Sequence, residues 1–138
     1  MMDIFSIMNI SATGMTAQRF RIDVIATNIA NAETTRTPEG GPYRRKIPIF
    51  AEYVRRYMEG KEIKGVKVAK IVEDDSYRLV YDPDHPDADE NGYVKMPNVN
   101  VLREMVDLIN AQRAYEANVS VFNAVKMMAN SALQIGRT

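Results

Sequence analysis

An acidic loop in the middle of the chain contains the residues whose types and spacing could bind a metal ion. Asp87, Asp89, Asn91 and Gly92 match the first, third, fifth and sixth positions of an EF-hand calcium loop, and Val94 suits its apolar eighth position. The twelfth position is an asparagine instead of the bidentate glutamate, and two upstream prolines are incompatible with an entering helix. We therefore interpret the segment as a polar turn, with calcium binding as the less favoured alternative, and predict no metal or cofactor site.

The side chains needed for covalent or acid–base catalysis are scarce. His85 is the only histidine, and the chain has no cysteine. A catalytic histidine needs a nucleophile and an orienting group nearby, and no nucleophile motif is present. We expect His85 to be an exposed loop residue between Asp84 and Pro86, and we predict that the protein is not an enzyme.

Composition and charge exclude several other classes. The chain has 138 residues, enough for one domain, with 18 basic and 18 acidic side chains. This balance gives no support for binding to nucleic acid or to an anionic membrane. No apolar run approaches the roughly 20 residues of a membrane span, and the first cationic side chain is Arg19, which is unlike a secretory signal peptide. If the protein leaves the cytoplasm, we expect a route that removes no leader.

Residues 98–135 predict one long helix, because they contain no proline or glycine and are followed by Gly136. At a rise of about 1.5 Å per residue, some 35 residues of such a helix are roughly 50 Å long, which exceeds the diameter of a compact chain of this size by about a third. Two adjacent apolar rows make a stripe wider than a two-stranded seam. One row comprises Val101, Met105, Leu108, Tyr115, Val119, Phe122, Ala129 and Leu133, and the other comprises Leu102, Val106, Ile109, Val121, Val125, Met128, Ala132 and Ile135.

Residues 3–32 predict a partner helix at the other end of the chain. Its apolar row follows steps of three and four, through Met8, Ala12, Met15, Ile22, Ala26 and Ile29. Gly14 costs about 1 kcal/mol relative to alanine in a helix, a cost that close approach of another backbone would compensate. Asn28 and Asn31 have two interpretations: they end the helix, which we favour, or a partly buried Asn28 fixes the register between the helices.

The middle of the chain has strand signals separated by loops. Residues 33–42 and 82–91 have loop composition. The segment 51–58 is ambiguous between a helical turn and a continuing strand. Strands are predicted for residues 43–50, where Pro48 requires an edge position, and for residues 64–72, 76–81 and 92–96.

The zero net charge conceals a strong asymmetry in this middle region. Residues 44–70 contain nine basic and three acidic side chains, whereas residues 73–90 contain eight acidic and one basic. Such blocks are usually solvated or neutralise each other within the fold, and we favour that interpretation. The alternative is head-to-tail complementarity between copies of the chain.

These patterns predict an α+β protein with a small β-rich insert between two long helices that pack as an antiparallel, coiled-coil-like pair. The predicted parts are an N-terminal assembly helix (1–32), a middle region (33–97) and a C-terminal assembly helix (98–138). The helices carry more apolar surface than so small a body can bury. We therefore expect them to be largely disordered or loosely associated in the monomer and to be completed by neighbouring molecules in a growing assembly. The alternative is a soluble helical module that binds a partner and stays monomeric or forms a closed oligomer.

Motifs spread over nearly the whole chain resemble those of bacterial flagellar rod and hook proteins. The N-terminal signature comprises residues 13–18 (TGMTAQ), residues 22–31 (IDVIATNIAN) and Thr34. Two departures are small: Thr13 replaces the serine common before the glycine, and Thr27 stands where a second asparagine is frequent. Within this group the chain is similar to the proximal-rod proteins of the basal body, in residues 40–44, 81–89, 92–94, 96–100 and 111–115.

The resemblance implies a structural role without enzymatic activity or cofactors. Proteins of this family polymerise helically into the axial rod, which crosses the periplasm and transmits motor torque. They are exported by the flagellar type III apparatus without leader cleavage, and their other partners are further rod proteins, the rod-base adaptor protein and the surrounding rings. With the apolar rows, the resemblance predicts an assembly interface on both helices, comprising Met8, Gly14, Met15, Ile22, Asn28, Ile29, Asn31, Met105, Leu108, Tyr115, Val119, Phe122 and Leu133.

Overall fold

The computed structural model describes residues 4–57 and 60–137, in which two long helices flank a small β-rich insert. The predicted α+β fold is therefore confirmed. The elements in chain order are α1 (Ile4–Ala30), β1 (Arg45–Arg56), β2 (Glu62–Asp74), β3 (Tyr77–Tyr81), β4 (Tyr93–Pro97) and α2 (Val101–Gly136).

Local capping explains where α2 begins, three residues later than predicted. Asn100 has an extended backbone, and its side chain accepts a hydrogen bond from the Arg103 N–H, which satisfies one of the free donors of the first helical turn. Parts of the predicted N-terminal helix, of the ambiguous segment 51–58 and of the C-terminal part fall on residues 1–3, 58 and 138, which lie outside the described residues. Within residues 4–57 and 60–137, neither helix contains a segment apolar enough to traverse a lipid bilayer.

The two helices pack against each other with opposed chain directions. Gly14 of α1 lies against Asn118 of α2, and Asn28 lies against Glu104. Moving along α1 from one contact to the other moves the contact back along α2 by the same number of residues. The predicted antiparallel pair is therefore present, and it places the start of α2 beside the end of α1.

The face that α2 turns toward α1 follows steps of four and three, as in a coiled coil. Its residues are buried or half-buried, whereas most of the rest of the helix is exposed. Several of them are small or polar, so this seam is less apolar than either predicted row. The seam residues of α2 are Glu104, Leu108, Ala111, Tyr115, Asn118, Phe122, Val125 and Ala129.

A two-stranded antiparallel ribbon, β1–β2, lies along a second side of α1. The ambiguous segment continues β1 through Arg56, and a bulge interrupts the register between Ile49 and Phe50. Pro48 is tolerated because both strands of a two-stranded ribbon are edge strands. Strands β3 and β4 pair separately as a second two-stranded sheet. An isolated hairpin is only marginally stable in water, so the contact with α1 must contribute to the stability of the ribbon.

Gly65 is the position where the ribbon comes closest to α1. The Thr13 hydroxyl accepts a hydrogen bond from the Val66 N–H at 3.2 Å. A Cβ atom at Gly65 would lie only 2.5 Å from Thr13 Oγ1 and 3.0 Å from its methyl group. The Cβ atom of Thr13 itself would lie 3.1 Å away, and both of its γ atoms face the glycine, so no rotation of that side chain removes the clash. The contact therefore requires glycine at this position.

Substituting Gly65→Ala should lower the free energy of unfolding by about 1–3 kcal/mol, because the ribbon must move away from α1 to accommodate a methyl group. Urea denaturation followed by circular dichroism measures this change. Gly136→Ala is the matched control, since no atom lies within 4 Å of that Cβ, and it should leave stability unchanged or slightly raised. Equal stabilities for the two variants would contradict the close contact.

Candidate assembly surface

Asn28 is the centre of a polar cluster that joins α1, α2 and the ribbon. Its side chain is 1% exposed, although it lies in the last turn of α1. Oδ1 accepts from the Lys46 N–H at 3.0 Å and from the Tyr43 hydroxyl at 2.8 Å, and Nδ2 donates to the Lys46 carbonyl at 2.9 Å. The amide thus pairs with both backbone groups of one residue in β1. Asn28 is therefore buried, as the second interpretation expects, but its short bonds align α1 with β1, and its contact with α2 is the longer one to Glu104 at 3.5 Å. Its role in the register between the helices stays a prediction.

Glu104 completes the cluster from the first turn of α2. The carboxylate is 1% exposed, Oε1 accepts from Arg45 Nε, and Oε2 lies 3.5 Å from Asn28 Nδ2. The negative charge also lies at the positive end of the α2 dipole. Sequence analysis missed Glu104 because an apolar row treats a carboxylate as solvent-exposed. Its position was the available signal. A step of three residues from Ala111 leads back to Leu108, and a further step of four leads to Glu104.

Tyr43 contributes a neutral donor to the same cluster. Burial raises the pKa of its hydroxyl above the ordinary value, and the nearby carboxylates of Glu104 and Glu73 raise it further. A raised pKa for an acid means that the protonated form stabilises the fold. This contribution is complete below the pKa of an unfolded tyrosine, about 10, and is lost as pH rises through the folded value. The hydrogen bond to Asn28 is therefore maintained at neutral pH.

Gly14 provides the close approach between the helices that its position predicts. A Cβ atom there would lie 2.8 Å from Nδ2 of Asn118, whose amide also donates to the Ala114 carbonyl at 3.0 Å. The approaching group is a side chain and not, as predicted, another backbone.

The predicted interface residues of α1 lie beside the α2 seam. Met8, Met15, Ile22 and Ile29 form a half-buried row, one position out of step with the residues that face α2. A rotation of about 100° per residue places this row on the side of α1 opposite the ribbon. Asn31 closes the helix: its backbone N–H and its side chain both donate to the Thr27 carbonyl.

The predicted interface residues of α2 divide into two groups. Leu108, Tyr115 and Phe122 are half-buried in the seam against α1, and Val119 is half-buried beside it. Met105 and Leu133 are exposed. Because the helices are antiparallel, the same rotation places Met105 and Val119 on the side of the seam that the half-buried α1 row borders. Met105 and Val119 therefore lie on the same face of the helix pair as the half-buried α1 row. The role of this face in assembly remains a prediction.

A further apolar surface lies on α2 away from α1, at both ends of the helix. The N-terminal part exposes large side chains at successive turns, and Leu102 is 74% exposed. The C-terminal part has the same character. We call these residues the outer face of α2; they are Leu102, Val106, Ile109, Met127, Met128 and Ile135.

The acidic loop that resembles a calcium site uses its side chains to fold itself. Asp87 accepts from the Thr35 hydroxyl at 2.6 Å and forms an ion pair with Arg36, which ties this loop to the loop after α1. Asp89 accepts from the N–H groups of Asn91 and Tyr93, both at 2.9 Å. Among the described residues, no cluster of three histidine or acidic side chains is arranged to bind a metal. The geometry is that of a polar turn.

His85 differs from its prediction in one respect. It lies in the loop as expected, but it is half-buried and not exposed, because its Nδ1 accepts the Asp87 N–H at 3.0 Å. This bond makes the ring part of the turn.

The bonds at Asp87 make the contact between the two loops dependent on pH. The Thr35 hydroxyl, and then Arg36, hold the pKa of the carboxyl below its ordinary value. A lowered pKa stabilises the fold above the unfolded pKa of about 4, and this stabilisation is lost as pH falls through the folded value. We therefore expect wild-type protein to be more stable than Asp87→Asn at neutral pH, with the difference vanishing in acid. Thermal unfolding of both proteins from pH 7 to pH 2 measures it, and Asp84→Asn, an exposed change in the same loop, is the control. A difference that persists unchanged to pH 2 would contradict this assignment.

Comparison with known proteins places the chain among flagellar components. A family model described as flagella basal body rod protein matches residues 8–36, and one described as flagellar basal body rod FlgEFG protein C-terminal matches residues 90–135. These ranges coincide with most of α1 and α2.

Curated relatives match nearly end to end. The chain is 52% identical to flagellar basal-body rod protein FlgC of Borreliella burgdorferi, over 97% of this chain and 98% of that protein. It is 47% identical to FlgC of Bacillus subtilis and 42% identical to FlgC of Salmonella typhimurium, in both cases over 99% of this chain and 100% of the relative. The chain therefore belongs to the FlgC family of flagellar basal-body rod proteins.

Proposed function

We propose that this protein is a structural subunit of the proximal rod of the bacterial flagellar basal body, assembling helically with copies of itself and with other rod proteins to transmit torque. The N-terminal part (1–32) and the C-terminal part (98–138) are the assembly helices, and the middle region (33–97) is carried beside them. The role is non-enzymatic and needs no cofactor.

The observation that carries this proposal is the apolar surface that the helix pair does not bury. Of the 36 residues of α2, Glu104, Ala111 and Val125 are buried, and only two of these are apolar. The outer face exposes large aliphatic and methionine side chains, and the half-buried rows of both helices border the seam. Leu102, Val106 and Ile109 lie on successive turns, and a contiguous exposed apolar surface of this kind marks protein–protein contact. An elongated helix pair with two such surfaces can contact a different neighbouring molecule through each surface.

The proposal extends to partners and location on the strength of the family resemblance. The partners are further rod proteins, the rod-base adaptor protein, the basal-body rings and the flagellar type III export apparatus. The protein resides in the basal body, within the axial rod that crosses the periplasm, and is exported without a cleaved signal peptide.

Charged substitutions on the outer face test the proposal. In the source bacterium, replacing the gene with one encoding Leu102→Lys and Val106→Lys should abolish rods in isolated basal bodies and abolish swimming, because two buried charges oppose packing against a neighbour. Both side chains are exposed, so thermal unfolding of the purified variant should match that of wild type.

A matched control adds the same charge to a polar part of α2. Ser120→Lys with Asn123→Lys should retain most rods, since both side chains are exposed and polar and neither change replaces an apolar contact. Normal rods in the Leu102 and Val106 variant would contradict an assembly role for this face. Normal rods in a strain that lacks the gene would contradict the proposed function itself.

A further inference from the structure

The two charge blocks occupy different parts of the folded chain. The basic block coincides with the β1–β2 ribbon and the residue before it. The acidic block comprises the last residues of β2, strand β3 and the loop between β3 and β4. That loop is tied to the chain just beyond the end of α1 through Thr35, whereas Gly65 contacts α1 near its middle, at Thr13. The later part of the basic block, around Lys67, is therefore displaced along the long axis from the acidic loop, whereas Arg45 and Lys46 lie opposite Asp74 and Glu73 in the ribbon.

Several charges of each block have no ion pair within the described residues, although Arg45, Arg56 and Lys64 are paired with Glu104, Glu62 and Glu52. Between the two blocks, Arg44 forms ion pairs with Asp75 at 3.2 Å and with Glu73 at 4.0 Å. On the ribbon, Lys67 and Lys70 are exposed, and neither has an ion pair among residues 4–57 and 60–137. In this part of the chain, mutual neutralisation of the two blocks is therefore limited to Arg44, and the remaining exposed charges are solvated, as the favoured interpretation allows, or are available to a neighbouring molecule.

The acidic end carries the same kind of unpaired charge. Asp82, Asp84 and Glu90 are exposed and have no ion pair within the described part of the chain. Both ends of one molecule therefore display charged side chains that are available for ion pairs with an oppositely charged surface of a neighbouring molecule. Within β2, the seven residues from Asp74 back to Lys67 span about 23 Å, which places Lys67 beyond ion-pair reach of the acidic end of the same strand.

Exposed apolar side chains accompany each charged surface. The acidic end presents Tyr77, Leu79 and Tyr81 at alternate positions of β3, with Tyr93 packed edge-on against Tyr81 at 5.3 Å between ring centroids. The ribbon exposes Val54, Ile71 and Val72 beside its cations. Tyrosine is enriched at protein interfaces and can accept a cation over its ring. Lys95 already lies 4.9 Å from the Tyr77 ring centroid within this chain.

We propose that the β3–β4 end of one copy docks on the basic ribbon of the next copy, head to tail, so that the acidic loop faces Lys67 and Lys70. This inference rests on the proposed assembly function and adds to it a second contact, made by the insert and not by the helices. The contact joins two different surfaces, so it is heterologous and does not close after two copies. Complementary charge sets the register of such a contact and repels a reversed neighbour.

Charge exchange in the source bacterium tests this contact. Lys67→Glu with Lys70→Glu reverses the ribbon, and Asp82→Lys with Asp84→Lys reverses the acidic end; the affected side chains are exposed. Each pair alone should reduce incorporation of the protein into basal bodies by about tenfold, and all four changes in one chain should restore it. Restoration cannot arise from damage to the fold, which the four changes together would only increase.

Cysteine cross-linking gives a second measurement, because the chain has no cysteine of its own. Lys67→Cys with Asp84→Cys should form disulfide-linked multimers in oxidised basal bodies, and either cysteine alone should not form them. Normal incorporation of both single-surface reversals, or failure of the four-change chain, would overturn the proposed contact. Absence of the wild-type chain from rods would instead overturn the proposed function, so the two failures are distinguishable.

Discussion

Replacing Glu104 with alanine is expected to lower the free energy of unfolding by about 3 kcal/mol, one of the two largest effects of a single change in this chain. The carboxylate is almost completely buried, and Arg45, whose side chain is 24% exposed, donates to it. Alanine would leave that guanidinium without its partner in a mostly buried place, and it would remove the acceptor nearest to Asn28 Nδ2. Urea denaturation followed by the helical circular-dichroism signal measures the loss.

Two further variants make this expectation specific. Glu116→Ala removes an exposed carboxylate from the same helix and should change stability by less than about 0.5 kcal/mol. Arg45→Met combined with Glu104→Leu replaces both partners by apolar side chains and should recover most of the loss. Equal effects of Glu104→Ala and Glu116→Ala would show that the buried ion pair does not stabilise the fold.

Substituting Asn28→Asp should destabilise the protein by about 3 kcal/mol or more at pH 7, although the two side chains have nearly the same shape. The new oxygen would face the Lys46 carbonyl at 2.9 Å and Glu104 Oε2 at 3.5 Å, where the amide now donates. A hydrogen bond would thus become a repulsion between acceptors, with two negative charges in a buried site.

The pH dependence of this variant identifies the cause. A carboxyl buried beside another carboxylate has a pKa above its ordinary value. Its protonated form therefore stabilises the fold, an effect that is complete below about pH 4 and is lost as pH rises through the folded pKa. The deficit relative to wild type should accordingly be smallest in acid. Asn123→Asp, an exposed change on α2, should show no such trend. A deficit that is constant from pH 4 to pH 8 would mean that lost shape, and not charge, destabilises the variant.

The architecture could be predicted because it depends on signals that are local and repeated. Long stretches without proline or glycine, with apolar steps of three and four, indicate helices in any context. Their excess length indicates that they need a partner. The strands followed from β-branched residues and from the prolines and glycines that separate them, and their ends differ from prediction by only a few residues, apart from β1, which extends through Arg56.

The details of packing depended on contacts that a single helix does not reveal. α1 is covered on two sides, by α2 and by the ribbon, so its apolar residues do not point to one partner. The row through Met15 and Ile22 is more apolar than the row that faces α2, which contains Ser11, Gly14 and Asn28. Small and polar residues allow close approach, and periodicity of apolar residues cannot detect them. Asn28 and Glu104 are favourable in the interior only because each is hydrogen-bonded there, and such partners are known only from the fold.

The hydrogen-bonded cluster around Asn28 lies at one end of the helix pair, where α1 ends and α2 begins. Farther from this cluster the helices meet through side-chain packing, such as that of Asn118 against Gly14, and the last turns of α2 are exposed. In mechanical terms the pair is a beam clamped at one end. Bending stress applied by neighbouring molecules would concentrate at the clamp, whereas the opposite tips can separate with little resistance and adapt to the curvature of whatever surrounds them.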